Sequence, residues 1–196
     1  MIASIALVRS IKRYISIPVD FVCFTTFDNT DIETLLLKEF DFVVRVEPIR
    51  FAVNMKMPTV ELQQQYDWLD MCFTKINVFR LTCYEKVLFL DSDMMCFGDI
   101  GGLFSLPTPA GCLIPQKKGK CQSGYQTGAL LPIDVTLKAM VDGYGISAAC
   151  FLIAPNETDF ESMMHHLNER VYKNHIFYED MESVSSMLSE QEQPQI

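Results

Sequence analysis

Two carboxylates stand one residue apart at the end of an apolar run, in the sequence EKVLFLDSDMMCFGDI (residues 85–100). Asp91 and Asp93 follow residues 87–90, whose composition predicts a buried strand. Alternate side chains of an extended chain share one side, so the two carboxylates are predicted to face together, with Ser92 opposite. Such carboxylates repel unless a cation lies between them, and Mn²⁺ or Mg²⁺ prefers oxygen ligands. The pattern is that of a metal site, although a D-x-D alone is more commonly a solvated turn.

The elements around this pair alternate between strand and helix. Strands are predicted at 19–26, 41–48, 87–90, 110–114 and 145–155, and helices at 3–15, 28–40, 59–81, 157–173 and 180–189. This alternation predicts one α/β domain over residues 1–196, with a mixed, mostly parallel sheet flanked by helices. Phe73, Ile76, Val78 and Phe79 are expected in the core. Ligands of such sheets bind beyond the carboxyl ends of strands, which is where the strand before Asp91 ends.

Charge and cysteine content restrict the partners and the compartment. The net charge is −9, and residues 157–192 hold nine acids against two bases, which argues against a nucleic-acid partner. The seven cysteines are scattered singly without a C-x-x-C pair, so we expect reduced thiols and a cytoplasmic location. No stretch reaches transmembrane length without helix breakers, so no integral membrane segment is expected.

Two sequence blocks resemble a known enzyme family. Residues 73–104 closely resemble the central block of the family-8 glycosyltransferases, the group that contains glycogenin and galactinol synthase. The matching positions are Phe73, Thr74, Lys75, Leu81, Tyr84, Lys86, Asp91, Asp93, Asp99, Ile100, Leu103 and Phe104. Residues 147–164 resemble a second block, and the resemblance runs from about Val19 to Asp180. It implies a GT-A fold, a UDP-sugar donor, a Mn²⁺ (or Mg²⁺) cofactor, and transfer of a hexose with retention of configuration to an unidentified carbohydrate or protein acceptor.

The resemblance also implies roles for individual residues. Asp91 would lie near the donor ribose and the metal, and Asp93 would be a direct metal ligand, with Ser92 between them in the donor site. Lys75 would reach the donor sugar and its phosphate and take part in catalysis. Lys86 and Tyr84 are interpreted as packing residues at the entrance of the strand.

Other positions depart from the family pattern. Ser147, Ala148 and Ala149 stand where the family usually has Asn-x-Gly against the donor sugar. A serine hydroxyl has less reach than an amide, and Ala149 adds a methyl group where the backbone normally approaches the ligand. An alternative alignment places residues 126–128 there, but 147–149 is preferred because Pro-Asn and a helix follow in register.

Near the C-terminus, Glu179 and Asp180 align loosely with an acid-Gln pair at the reacting face of the sugar. A solvated acidic helix start is an equally good reading of these two residues.

The resemblance implies a chain that is truncated at both ends. The family's first strand and its late His-x-x-Gly-x-x-Lys segment have no counterpart, and His165, His166 and His175 lack that motif.

Two hypotheses follow: a retaining glycosyltransferase, or a catalytically impaired relative that binds a nucleotide or a protein partner. A nucleotidyltransferase on a similar fold is disfavoured, since no glycine-rich phosphate loop is visible.

Overall fold

The computed structural model describes residues 1–51, 67–113, 129–135 and 146–172. Within these ranges the elements follow the order that the sequence predicts. The α-helices are α1 (Ile2–Lys12), α2 (Thr30–Leu36) and α3 (Glu157–Tyr172), and the 3₁₀ segments are η1 (Asp67–Arg80) and η2 (Gly101–Ser105). The strands are β1 (Val22–Thr25), β2 (Phe42–Arg45), β3 (Val87–Leu90), β4 (Ala110–Leu113) and β5 (Ile146–Ile153).

β1 and β2 form a parallel pair joined by α2. Their register runs from Val22 opposite Phe42 to Thr25 opposite Arg45. A parallel pair needs a crossover connection, and α2 provides it. The Asn29 side chain begins the helix by accepting hydrogen bonds from the backbone N–H groups of Asp31 and Ile32, at 3.0 and 3.1 Å.

The other described strands form an antiparallel sheet in the order β3-β5-β4. β5 lies in the middle, and its pairing with β3 runs from Val87 opposite Ile153 to Leu90 opposite Cys150. The described strands therefore make one parallel pair and two antiparallel pairs, so the predicted mostly parallel sheet is not confirmed. Among the strands that the structure describes, β3 pairs on one side only, and β5 is the central strand of this sheet. Antiparallel pairing also sets the start of β5 beside the end of β3.

The main described core lies between η1, α3 and the β3–β5 pair. Its buried residues are Phe51, Phe73, Ile76, Val78, Phe79, Ile153, Met163 and Leu167. The four core positions predicted in η1 are confirmed as buried. The core fixes η1 against the sheet, and η1 carries Lys75.

Helix length and the state of the cysteines are two further features of the described residues. Among the helices that the structure describes, none is long and apolar enough to cross a membrane. No disulfide bond joins the cysteines within the described ranges. Burial and the neighbouring Cys112 raise the pKa of the Cys150 thiol to about 11, so this thiol is protonated at neutral pH.

Candidate active site

The D-x-D segment is presented by a turn. β3 ends at Leu90, and the Asp91 N–H donates to the Ala149 carbonyl at 2.8 Å, which extends the pairing with β5 by one residue. The Asp91 carbonyl then accepts from the Met94 N–H at 3.2 Å. The strand predicted at 87–90 is confirmed, but the extended conformation expected for residues 91–93 is wrong, because the chain turns at Asp91. Side-chain alternation therefore does not orient these carboxylates.

A cleft of about 1220 Å³ opens beside this turn. Its walls come from α1, β1, η1 and β3, and they are mainly apolar. Asp91, Ser92 and Asp93 line it together with Lys75. The structure thus brings together one cation and two carboxylates at a cavity large enough for a nucleotide-sized ligand.

Lys75 reaches this cleft from η1 and forms an ion pair with Asp91. Its Nζ atom lies 2.9 Å from Asp91 Oδ1 and 3.2 Å from Asp91 Oδ2, and it donates to the Ala148 carbonyl at 3.1 Å. The Lys75 side chain is 21% exposed and that of Asp91 is 32% exposed, so the pair is half-buried and remains open to the cleft. A half-buried pair is screened less by salt than a surface pair.

An aromatic platform supports the ammonium group. Phe89 precedes Asp91 by two residues, and its ring centroid lies 5.4 Å from Lys75 Nζ. The Phe89 ring stacks on that of its cross-strand partner Phe151, with centroids 4.9 Å apart and an interplanar angle of 18°. A cation over an aromatic face is attracted by the ring quadrupole. Sequence reasoning missed this platform, although the two-residue spacing of Phe89 and Asp91 was the available signal.

The segment 147–149 lies against the ion pair because β5 runs antiparallel to β3. Its backbone supplies the Ala148 carbonyl to Lys75 and the Ala149 carbonyl to Asp91. The Ser147 hydroxyl accepts from the Ala149 N–H at 3.3 Å. Contact between this segment and a donor sugar stays a prediction. The alternative at 126–128, and the predicted catalytic residues Glu179 and Asp180, lie outside the described residues.

Asp93 differs from Asp91 in having no cationic partner within the part of the chain that the structure describes. It is exposed at the mouth of the cleft. Carboxylate oxygens are the ligands that Mn²⁺ and Mg²⁺ prefer, so the pair fits a divalent cation as a partial ligand set. Over the described ranges, no group of three or more His, Cys, Asp or Glu residues is gathered to complete it. The remaining ligands would be water and ligand oxygens.

The two described histidines do not line this cleft. His165 and His166 are on α3, and His165 Nε2 is 3.6 Å from Glu169 Oε1 one helical turn later. His175 lies outside the described residues. The structure therefore gives neither of the two described histidines a place beside Asp93.

Comparison with known proteins agrees with the motif at this site. The sequence model for glycosyl transferase family 8 matches residues 1–126, which include Lys75, Asp91 and Asp93. An uncharacterized protein of Acanthamoeba polyphaga mimivirus is 30% identical over 101 residues, which are 46% of this chain and 30% of that protein. The chain therefore matches less than a third of that relative's length. Because the family match covers more than half of the sequence, the chain belongs to glycosyl transferase family 8.

Proposed function

We propose that this protein transfers a hexose from a UDP-sugar to a carbohydrate or protein acceptor, with retention of configuration at the sugar. The observation that carries this proposal is the Lys75–Asp91 ion pair at the mouth of a large cleft. Asp93 stands beside it without a partner among the described cations. A cation and a carboxylate without a described cationic partner, both lining one cleft, can receive a metal–diphosphate group.

Each group has a distinct part in binding the donor. The Lys75 ammonium is a compact cation on a flexible stem, which suits a phosphate or a sugar oxygen. Asp91 holds that ammonium at the cleft, and Asp93 offers oxygen atoms to Mn²⁺. When bound, the ion supplies charge neutralisation to the departing diphosphate. The backbone of residues 147–149 would border the sugar.

The reaction breaks the bond between the sugar C1 and the diphosphate oxygen. A new bond forms between C1 and an acceptor hydroxyl oxygen, which loses its proton. Retention is reached by two routes: covalent attack by a carboxylate and a second displacement, or acceptor entry on the face that the diphosphate leaves. Glu179 and Asp180 are the sequence candidates for the first route.

A second candidate function is nucleotide or partner binding without transfer. The observation that favours it is at residues 147–149, where the family usually has Asn-x-Gly. The Ser147 hydroxyl spends one of its two acceptor sites on the Ala149 N–H, and the methyl group of Ala149 stands where the family has a glycine hydrogen. Both features reduce the contacts that the segment can offer to a sugar.

Release of UDP from a panel of UDP-sugars in the presence of Mn²⁺ separates the two functions. We expect release by the wild type, loss of release in Asp93→Asn, and unchanged release in Glu161→Gln. Glu161 is a matched control because it is exposed on α3 and does not line the cleft. Binding of UDP without release from any UDP-sugar would favour the second function. Failure to bind UDP would contradict donor binding altogether.

A further inference from the structure

The Lys75 ammonium is held by two protein groups in this structure, the Asp91 carboxylate and the Ala148 carbonyl. An ammonium has three N–H donors. The three oxygen atoms within reach are both carboxylate oxygens of Asp91, at 2.9 and 3.2 Å, and the Ala148 carbonyl at 3.1 Å. The two oxygens of one carboxylate lie too close together to take separate N–H donors of one ammonium, so Asp91 and Ala148 use two of the three donors. Asp91 also neutralises the charge that a phosphate would otherwise meet, so a phosphate must compete with Asp91 for the ammonium.

The partner that it shares with any bound metal is Asp91. Both oxygens of this carboxylate face the ammonium, whereas Asp93 has no described cation beside it. A divalent cation on Asp91 would lie within a few ångströms of the Lys75 charge. Like charges at that distance repel, and half-burial leaves the repulsion poorly screened.

We propose that Lys75 is the resident counter-ion of Asp91 and gives up this carboxylate when a divalent cation binds, which frees its ammonium for the donor diphosphate. This inference rests on the proposed function, since it assigns an order of events to the same site. The ammonium charge then holds the free protein at low metal affinity. Binding of the metal and binding of the diphosphate therefore favour each other. The metal takes over the Asp91 carboxylate, and the diphosphate takes over the Lys75 ammonium.

The surroundings of Lys75 suit such an exchange. When Asp91 is withdrawn, the Ala148 carbonyl and the Phe89 ring still contact the ammonium from their present positions, at 3.1 Å and 5.4 Å. These contacts keep the lysine stem at the cleft. In the described part of the chain no other lysine or arginine forms an ion pair with Asp91 or Asp93, so the exchange depends on this one side chain.

The test is the affinity for Mn²⁺ without nucleotide, measured from the electron paramagnetic resonance signal of the free ion. Lys75→Met removes the charge and keeps an apolar stem over Phe89. We expect it to bind Mn²⁺ at least about tenfold more tightly than the wild type, because a repulsive unit charge at contact distance is removed. Lys75→Arg keeps the charge and Lys38→Met removes an exposed charge on another surface, so both should stay within about threefold of the wild type.

Unchanged or weaker Mn²⁺ binding by Lys75→Met, with a circular dichroism spectrum like that of the wild type, would overturn the inference. Lys75→Gln gives the same comparison if the methionine variant does not fold. A different result would contradict the proposed function, namely a wild type whose UDP affinity is the same with and without Mn²⁺. If Lys75→Met does not change Mn²⁺ affinity while Mn²⁺ still tightens UDP binding in the wild type, only the counter-ion role of Lys75 is contradicted.

Discussion

A lysine ammonium lies at each end of β3, and the two ammonium groups have different partners. At the entrance, Lys86 donates to the carbonyls of Phe104 and Leu106 at 2.9 and 2.7 Å, and the Tyr84 hydroxyl bonds to Asp20 at 3.0 Å. At the exit, Lys75 meets a carboxylate, and the next acid, Asp93, has no described cationic partner. At the start of β3 the lysine is bound by neutral carbonyl groups. At the end of β3 the lysine is bound by a carboxylate, and a second carboxylate lies next to it in the sequence, so the ammonium can exchange one charged partner for another. A lysine near a strand end therefore indicates function only through what it contacts.

The largest expected difference between the two ends is in turnover. Lys75→Met should lower the rate of UDP-sugar turnover by about 10²–10³-fold, since it removes a placed charge that stabilises the leaving diphosphate. Lys75→Met also loses the bonds to Asp91 and to the Ala148 carbonyl, so turnover is expressed per folded protein, with the folded fraction taken from circular dichroism. Steady-state UDP release measures this effect. A rate within a few-fold of the wild type would remove Lys75 from the catalytic account.

The matching change at the entrance should act on stability instead. Lys86→Met removes a charged donor that bonds to two carbonyls, so we expect a loss of about 2 kcal/mol in the free energy of unfolding. Urea denaturation gives this value. Turnover of the remaining folded protein should be close to that of the wild type. If Lys86→Met instead lost turnover without losing stability, the two lysines would have the same role and the comparison would be contradicted.

The role of residues 147–149 can be tested by restoring the residues that the family usually has there. If 147–149 borders the donor sugar, Ser147→Asn with Ala149→Gly should tighten donor binding or raise turnover. A recovered hydrogen bond is worth about 0.5–1.5 kcal/mol, so the gain should be up to about tenfold. Donor titration and UDP release on the double variant check this. No change in either would favour the alternative segment at 126–128.

The smallest expected effect concerns Tyr84 at the entrance. Partial burial and the Asp20 carboxylate raise the pKa of Tyr84 to about 12, above its ordinary value near 10. A raised folded-state pKa gives stability that is present below pH of about 10 and is lost as pH rises through about 12. Tyr84→Phe should therefore cost about 1 kcal/mol at pH 8 and less at pH 11, by urea denaturation. A cost that does not shrink with pH would show that this hydrogen bond is not the cause.

Local patterns predicted the elements well and their pairing poorly. The periodicity around Phe73 and Val78 gave η1 and its buried face, because side-chain spacing reports which face is apolar. The direction of β5 relative to β3 was not predicted, because spacing along one strand says nothing about its neighbour.

The same contrast between local pattern and long-range contact holds for the candidate site. The family resemblance led to Lys75 and Asp91, which the fold brings to 2.9 Å. The stacking of Phe89 on Phe151 depends on a long-range contact that no local pattern contains. The turn that begins at Asp91 is local, and it matches the alternative reading of the D-x-D as a turn.

The central claim is that the exit of β3 holds a divalent cation together with a nucleoside diphosphate. Calorimetric titration of UDP with and without Mn²⁺, on the wild type and on Asp93→Asn, tests it most directly. We expect Mn²⁺ to tighten UDP binding in the wild type, and UDP to tighten Mn²⁺ binding by the same factor, as reciprocity requires. Asp93→Asn should abolish this coupling, since the amide keeps the shape of the side chain but loses its charge. Equal UDP affinity in all four titrations would contradict the claim.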